Sequence, residues 1–192
     1  SCCRIRAIAL RPPAGTKGLG FVPDNYARTV TQALTGERRM IWQVSVRLQL
    51  GELRLDVDLS GEQGPLALVG PNGSGKTTLL RTIAGAHRPQ SGQIQVGGRT
   101  IFDSKQGVDI PPEDRHVGYV PQGYGLFPHL SVVENVAFGW ISRTPRRTRA
   151  ERRQAAMELL ERVGCAHLAH RVSTTLSGGE QQRVGIARAL VK

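Results

Sequence analysis

The run Gly70-Pro71-Asn72-Gly73-Ser74-Gly75-Lys76-Thr77 fills the pattern GxxxxGK[ST] in full. It follows a short apolar segment, residues 65–69, and precedes a helical pattern from Lys76 to about Ala84 that Gly85 ends. That setting gives the spacing a chemical meaning. Glycines at 73 and 75 let the backbone turn so that successive N–H groups face inward as an anion nest, and the following helix adds its positive end. Lys76 then reaches the β- and γ-phosphates of a nucleotide, and the Thr77 hydroxyl is placed to ligate Mg²⁺. The motif predicts a nucleoside-triphosphate site built from Gly70 through Thr77, with Thr78 next in the helix.

A phosphate loop alone names no function, since kinases, GTPases, helicases and transport ATPases share it. No NKxD-type tetrapeptide for guanine reading occurs, which argues against a GTPase. Farther along stands Leu176-Ser177-Gly178-Gly179-Glu180-Gln181-Gln182-Arg183. Ser177 and the glycines open a helix whose free N–H groups and positive end make a second anion-binding surface, and the glycines keep that surface bare. Taken as structure alone, LSGGE is a capped helix start; beside a phosphate loop it gains a second meaning.

This run and its continuation VGIARAL resemble the signature of the ATP-binding-cassette (ABC) ATPases. The resemblance implies an α/β fold of the P-loop NTPase type, with an antiparallel β subdomain and a helical subdomain. It implies ATP and Mg²⁺ as cofactors. It also implies a dimer with a second ATPase subunit, in which Leu176, Ser177, Gly178, Gly179, Glu180 and Gln181 face the ATP held by the partner. Gln122, inside GYVPQGYGLFPHLSVVENVAFG, resembles the Q-loop glutamine, whose amide oxygen binds Mg²⁺ and orients water while the loop senses a membrane partner. Lys76 and Gln122 are thus the catalytic candidates, and Thr77 and Gln122 the metal ligands. Such an ATPase also uses an apolar strand ending in Asp-Glu and a later switch histidine; no four-residue apolar run ending in Asp-Glu exists here. The chain is therefore expected to be an N-terminal fragment that lacks the C-terminal part of the core sheet and is nearly inactive in hydrolysis.

Within that family, FDSKQGVDIPPEDRHVGYVPQ followed by LFPHLSVVENVAFG most resembles the importer ATPases for molybdate, tungstate and related oxyanions. Importers of sulfate, polyamines, sugars or iron are the alternative. The resemblance implies membrane permease subunits as partners, an extracytoplasmic binding protein indirectly, and a place on the cytoplasmic face of the inner membrane. A soluble ABC ATPase acting on nucleic acid or ribosomes is a different class. It would carry coiled-coil or zinc-bearing insertions, and the interval between the two motifs has neither heptads nor Cys clusters, so no specific nucleic acid is expected. The adenine-stacking aromatic of the family has no counterpart in Arg47-Leu48-Gln49-Leu50, and Trp42 upstream reads as a core residue.

The elements that must position these groups are legible from residue 40 onward. VSVRLQL and LRLDVDL alternate with period two, which predicts antiparallel strands around Gly51-Glu52. The apolar segment Pro65–Val69 predicts a strand buried inside a sheet. Gln93–Val96 and Arg99–Phe102 predict a hairpin across Gly97-Gly98, and Val117–Val120 a further short strand. Ser131-Val-Val-Glu134 and Thr148-Arg-Ala-Glu151 are capping boxes. The second opens a helix with Ala156, Leu159, Leu160 and Val163 on one face and Gly164 at its end.

The 192 residues carry 26 Lys+Arg against 15 Asp+Glu, a net charge of +11. Residues 40–139, which hold the phosphate loop, are net −1, while residues 1–39 are +5 and residues 140–192 are +7. The excess therefore lies in flanks and says little about the nucleotide site. Residues 1–39 read as a weakly ordered extension with a short helix around 25–34, and residues 40–192 as a truncated ABC ATPase domain with its helical subdomain at about 123–180. No apolar run reaches the roughly 18 residues of a membrane span. Cys2, Cys3 and Cys165 form no disulfide framework and fit a reducing compartment. His167 and His170, one turn apart, lack a third metal ligand nearby and read as solvated helix-end residues.

Overall fold

The computed structural model describes residues 6–9, 42–61, 66–140 and 148–191. Cys2, Cys3, the helix expected around 25–34 and the start at Met40 lie outside them. In chain order the strands are β1 (Arg6–Ala9), β2 (Trp42–Leu50), β3 (Leu53–Gly61), β4 (Leu66–Val69), β5 (Ser91–Val96), β6 (Arg99–Asp103) and β7 (Val108–Asp109). The helices are α1 (Lys76–Ala84), α2 (Val132–Ala137), α3 (Arg149–Arg162) and α4 (Gly178–Ala189). The chain divides into two compact units, Ser1–Val117 and Gly118–Lys192.

In the first unit the alternating residues do what their period dictates. β2 and β3 pair antiparallel with Leu50 opposite Leu53, so the two-residue turn Gly51-Glu52 closes the hairpin. The sheet continues antiparallel in the order β3-β2-β5-β6-β7. Val44, Val46 and Leu48 of β2 meet Leu55 and Val57 of β3, Ile94 of β5, and Ile101 and Phe102 of β6 in one buried cluster. Leu79 of α1 joins that cluster, and Trp42 packs against it as the sequence implied. Asp103 closes the β6–β7 turn: its Oδ1 accepts from the N–H groups of Lys105 (2.8 Å) and Gln106 (3.1 Å). Hence FDSKQGVD is a device of the fold.

Two expectations need correction. The segment 65–69 was expected as a strand buried inside a sheet; β4 has only β1 as an antiparallel neighbour among the described residues, and Val69 stands 50% exposed. Residues 117–120 form no strand, because no described strand pairs with them. Gly118 instead packs on the end of α4, where a Cβ would lie 2.6 Å from the carbonyl oxygen of Ala189.

The second unit is helical. Ser131 and Thr148 open α2 and α3 through complete capping boxes with Glu134 and Glu151. Val132, Val133 and Val136 of α2, Ala156 and Leu160 of α3, and Val184 and Ala187 of α4 form one buried core with Cys165, Leu168 and Leu176. Leu159 packs on its margin. No helix among the described residues is long and apolar enough to cross a membrane.

Candidate functional site

The phosphate loop bridges the end of β4 and the start of α1. Gly75 is the N-cap of α1 with φ +91°, and a Cβ there would lie 2.4 Å from Leu55 Cδ2. Both the left-handed backbone and the core therefore demand glycine. Gly73 also has a positive φ of +79°, with nothing within 4 Å of its Cβ direction. Ser74 is buried, and its N–H donates to Pro71 O at 3.2 Å. No side chain caps α1 and no acidic residue lies in its first turn, so neither offsets the positive helix end. The Lys76 ammonium donates to the carbonyls of Gly70 (2.8 Å) and Pro71 (2.7 Å) and lies 3.4 Å from Ser74 Oγ. It is thereby held across the loop. Asn72 and Thr77 are exposed and Thr78 is half-buried; Thr78 O accepts from the Thr82 hydroxyl (2.8 Å).

The other end of α1 is held by the arginine of the PPEDRHVGYV run. Gly85, φ +94°, caps it with N–H donation to Thr82 O. Buried Arg115 then donates through Nη1 to Thr82 O (2.8 Å) and Ile83 O (3.0 Å), through Nε to Ile110 O (2.6 Å) and through Nη2 to Asp109 Oδ1 (3.1 Å). Burial lowers the Arg115 pKa, and the Asp109 carboxylate opposes that shift. A guanidinium stays charged even so.

In the second unit Gln122 is exposed at a turn. Gly123, Tyr124 and Gly125 follow with φ of +81°, +62° and +62°. Tyr124 is an aromatic residue in the left-handed region, a conformation that costs roughly 1–2 kcal/mol. Its N–H donates to Pro121 O (2.9 Å). Tyr124 lies along α4: its Cβ is 3.3 Å from where a Gly185 Cβ would be, and its Oη 4.0 Å from that of Gly178. Arg188 of α4 donates through Nη1 to Gly125 O (2.6 Å) and stands 5.3 Å from the Phe127 ring centre; burial holds its pKa below the ordinary value. The Gln122 turn and the helix of the second motif are thus one packed body.

At the start of that helix Ser177 and Glu180 form a third capping box. Glu180 Oε2 accepts from the Ser177 hydroxyl and N–H, both at 2.7 Å. Those bonds, the hydroxyl's first, hold the Glu180 pKa below its ordinary value. The Gln181 amide turns inward, donating to Leu176 O (3.1 Å) and lying 3.4 Å from Ser173 O. Leu176 is buried. Gly178 and Gly179 are exposed, and a Cβ would meet nothing closer than Tyr124 Oη at 4.0 Å and Arg183 Nη1 at 3.9 Å. Packing among the described residues requires neither glycine.

The sequence profile of ABC transporters matches residues 55–192. The chain belongs to the ABC transporter family. Among curated relatives, the molybdenum import ATP-binding protein ModC of Paramagnetospirillum magneticum is 47% identical over 148 residues, covering 77% of this chain and 40% of that protein. The molybdate/tungstate import ATP-binding protein WtpC of Archaeoglobus fulgidus is 43% identical over 152 residues, covering 79% of this chain and 59% of that protein. This chain therefore spans about two fifths to three fifths of the length of these relatives. Among solved structures, a dimeric post-hydrolysis state of the ATP-binding cassette MJ0796 bound to ADP and Pi aligns with a TM-score of 0.57 and 28% identity, covering 79% of this chain and 69% of that one. The α/β fold expected from the sequence, with its antiparallel sheet and helices, is that of the N-terminal part of an ABC cassette.

Arg115 and Tyr124 lie inside the family-like runs of the sequence, but nothing in those runs distinguishes their roles; the local hint for Tyr124 is the Gly-Tyr-Gly run at 123–125, whose residues take left-handed backbone.

Proposed function

We propose that this chain is the nucleotide-binding part of the ATPase subunit of an importer for molybdate, tungstate or a related oxyanion. The observation that carries the ATP-binding reading is the loop itself. Backbone forced into the left-handed form at two glycines, an uncapped helix start without acids, and an ammonium held across them suit a polyphosphate. Gly70, Pro71, Asn72, Gly73, Ser74, Gly75, Lys76, Thr77 and Thr78 are the residues assigned to it. Thr77 and Gln122 are the groups assigned to Mg²⁺, their hydroxyl and amide oxygens being hard donors of the kind that ion takes. Bound MgATP supplies the phosphoryl group whose transfer to water releases energy. The protein's task there is to orient and neutralise: Lys76 carries the positive charge, and N–H groups of the loop and helix start would donate to the phosphate oxygens.

Leu176 through Gln181 are assigned to the nucleotide of a second subunit. Gly178 and Gly179 are bare although the fold does not need them bare, which supports an external phosphate at that surface. Ser177 contributes a hydroxyl there, and Glu180 and Gln181 shape that surface through their bonds within the turn. A dimer would close on ATP and reopen on hydrolysis, and Gln122 would relay that change to permease subunits at the cytoplasmic face of the membrane. The oxyanion reading rests on the relatives' names and on the run FDSKQGVDIPPEDRHVGYVPQ. Because these 192 residues contain no four-residue apolar run ending in Asp-Glu, the chain by itself is assigned binding with almost no turnover.

The test is co-expression of the whole subunit with its neighbouring permease and oxyanion-binding protein in membrane vesicles. Molybdate-stimulated ATP hydrolysis that Lys76→Ala abolishes is the expected result. Stimulation by sulfate or a polyamine instead would move the assignment to another importer, and no stimulation by any of them would remove the transport reading.

A further inference from the structure

We infer that Arg115 is a positioning residue for the nucleotide site, fixing the phosphate loop from the far end of α1. The inference rests on the loop's being that site. The loop and Arg115 sit at opposite ends of one short rod: α1 has nine residues, about 13 Å at 1.5 Å per residue. A helix this short is marginal alone, and its loop end has no side-chain cap. Its placement comes from Leu79 and Ile83, packed in the sheet cluster, and from the bonds at its C-terminal end. There Arg115 bonds the carbonyls of Thr82 and Ile83 with one nitrogen, while Nε and Nη2 bond Ile110 O and Asp109 Oδ1. The N–H of Ile110 donates to Ile101 O (3.0 Å), so these bonds lead into β6. One planar guanidinium thus ties the negative pole of the helix to the sheet. Its fork fixes direction as well as distance, which a point-charge ammonium does not.

Gly85 is part of the same joint. A Cβ there would lie 2.9 Å from Arg115 Nε and from Pro112 Cγ. Asp109 also pairs with Arg88 at 3.1 Å, but that side chain is 77% exposed and makes no bond to α1 among the described residues. Arg88 is therefore a control on the same carboxylate without the same consequence. Site geometry tolerates errors of only about 0.5 Å before function falls, so loosening the rod should weaken phosphate binding while leaving the fold present.

The experiment is a fluorescence titration of the 192-residue chain with a methylanthraniloyl ATP analogue in Mg²⁺, beside thermal unfolding. Arg115→Lys keeps the charge but not the fork. Its Kd is expected to rise about tenfold, on the scale of lost charge-assisted bonds, with native far-UV circular dichroism. Arg115→Ala should lose more, and Arg88→Ala should stay within about twofold of the parent chain. A lowered unfolding midpoint in Arg115→Lys with unchanged Kd would make Arg115 merely structural and overturn the inference. Should Arg115→Lys not fold, Asp109→Asn decides in its place: a weakened Kd supports positioning, an unchanged one refutes it. If the parent chain and Lys76→Ala both fail to bind the analogue, the nucleotide reading falls instead.

Discussion

Asn135 offers a stability effect that can be worked from the coordinates before it is measured. Its side chain is fully buried. Oδ1 accepts from Phe127 N–H at 2.7 Å, and Nδ2 points at the carbonyls of Phe127, Leu130 and Ser131, each at 3.1 Å. Replacement by Ala affects these groups unequally. Phe127 O still accepts from the Ser173 hydroxyl (2.8 Å), Leu130 O from Ser173 N–H (3.4 Å) and Ser131 O from the backbone N–H of residue 135 (2.8 Å). Phe127 N–H has no other acceptor among the described residues. One orphaned donor costs about 1–3 kcal/mol, and the two lost amide hydrogens about 0.5–1.5 kcal/mol each, so Asn135→Ala should cost about 2–6 kcal/mol. Asn135→Asp keeps the acceptor for Phe127 but turns an oxygen toward three carbonyls, and should cost more than Ala near neutral pH. Urea unfolding followed by circular dichroism reads both. An Ala variant within about 1 kcal/mol of the parent chain, or an Asp variant more stable than the Ala one, would refute this reasoning.

Gly179→Ala should leave the unfolding midpoint of this chain unchanged or raised, since Ala gains up to about 1 kcal/mol over Gly in a helix and its Cβ meets only Arg183 Nη1 at 3.9 Å. In the whole subunit the same change should abolish ATP-dependent dimerisation by sedimentation velocity; a stable variant that still dimerises would dismiss the second phosphate surface. Glu134 and Glu180 are both held below their ordinary pKa by capping-box bonds from Ser131 and Ser177. The native state then binds fewer protons than the unfolded one, so their stabilisation is present above about pH 4.3 and is lost as pH falls through the lowered native values. Thermal midpoints across that acid range should drop less steeply in a Glu134→Gln, Glu180→Gln double variant, and an equal slope would contradict the assignment.

What the sequence made legible was local. The period-two runs and the two-residue turn at Gly51-Glu52 predict the hairpin that forms, because alternation and turn length together leave one register. The SxxE and TxxE spacings predict the starts of α2 and α3, since a capping box is satisfied within four residues. The phosphate loop is legible for the same reason. Arg115 was not, because its bonds to Thr82 and Ile83 span more than thirty residues and an arginine after PPED looks like any exposed cation. Tyr124 was missed because its partners Gly185 and Gly178 are brought to it by the packing of α4. The strand expected at 117–120 failed because an apolar run proposes a strand but only a neighbouring strand makes one.

Isothermal titration of the 192-residue chain with MgATP, beside Lys76→Ala, bears most directly on the phosphate loop. The parent chain should bind one equivalent with a measurable heat, and the variant, which lacks the ammonium held across Gly70 and Pro71, should bind at least about tenfold more weakly. Equal binding by the two, in chains of equal far-UV circular dichroism, would contradict the assignment of Gly70 through Thr78 as the nucleotide site.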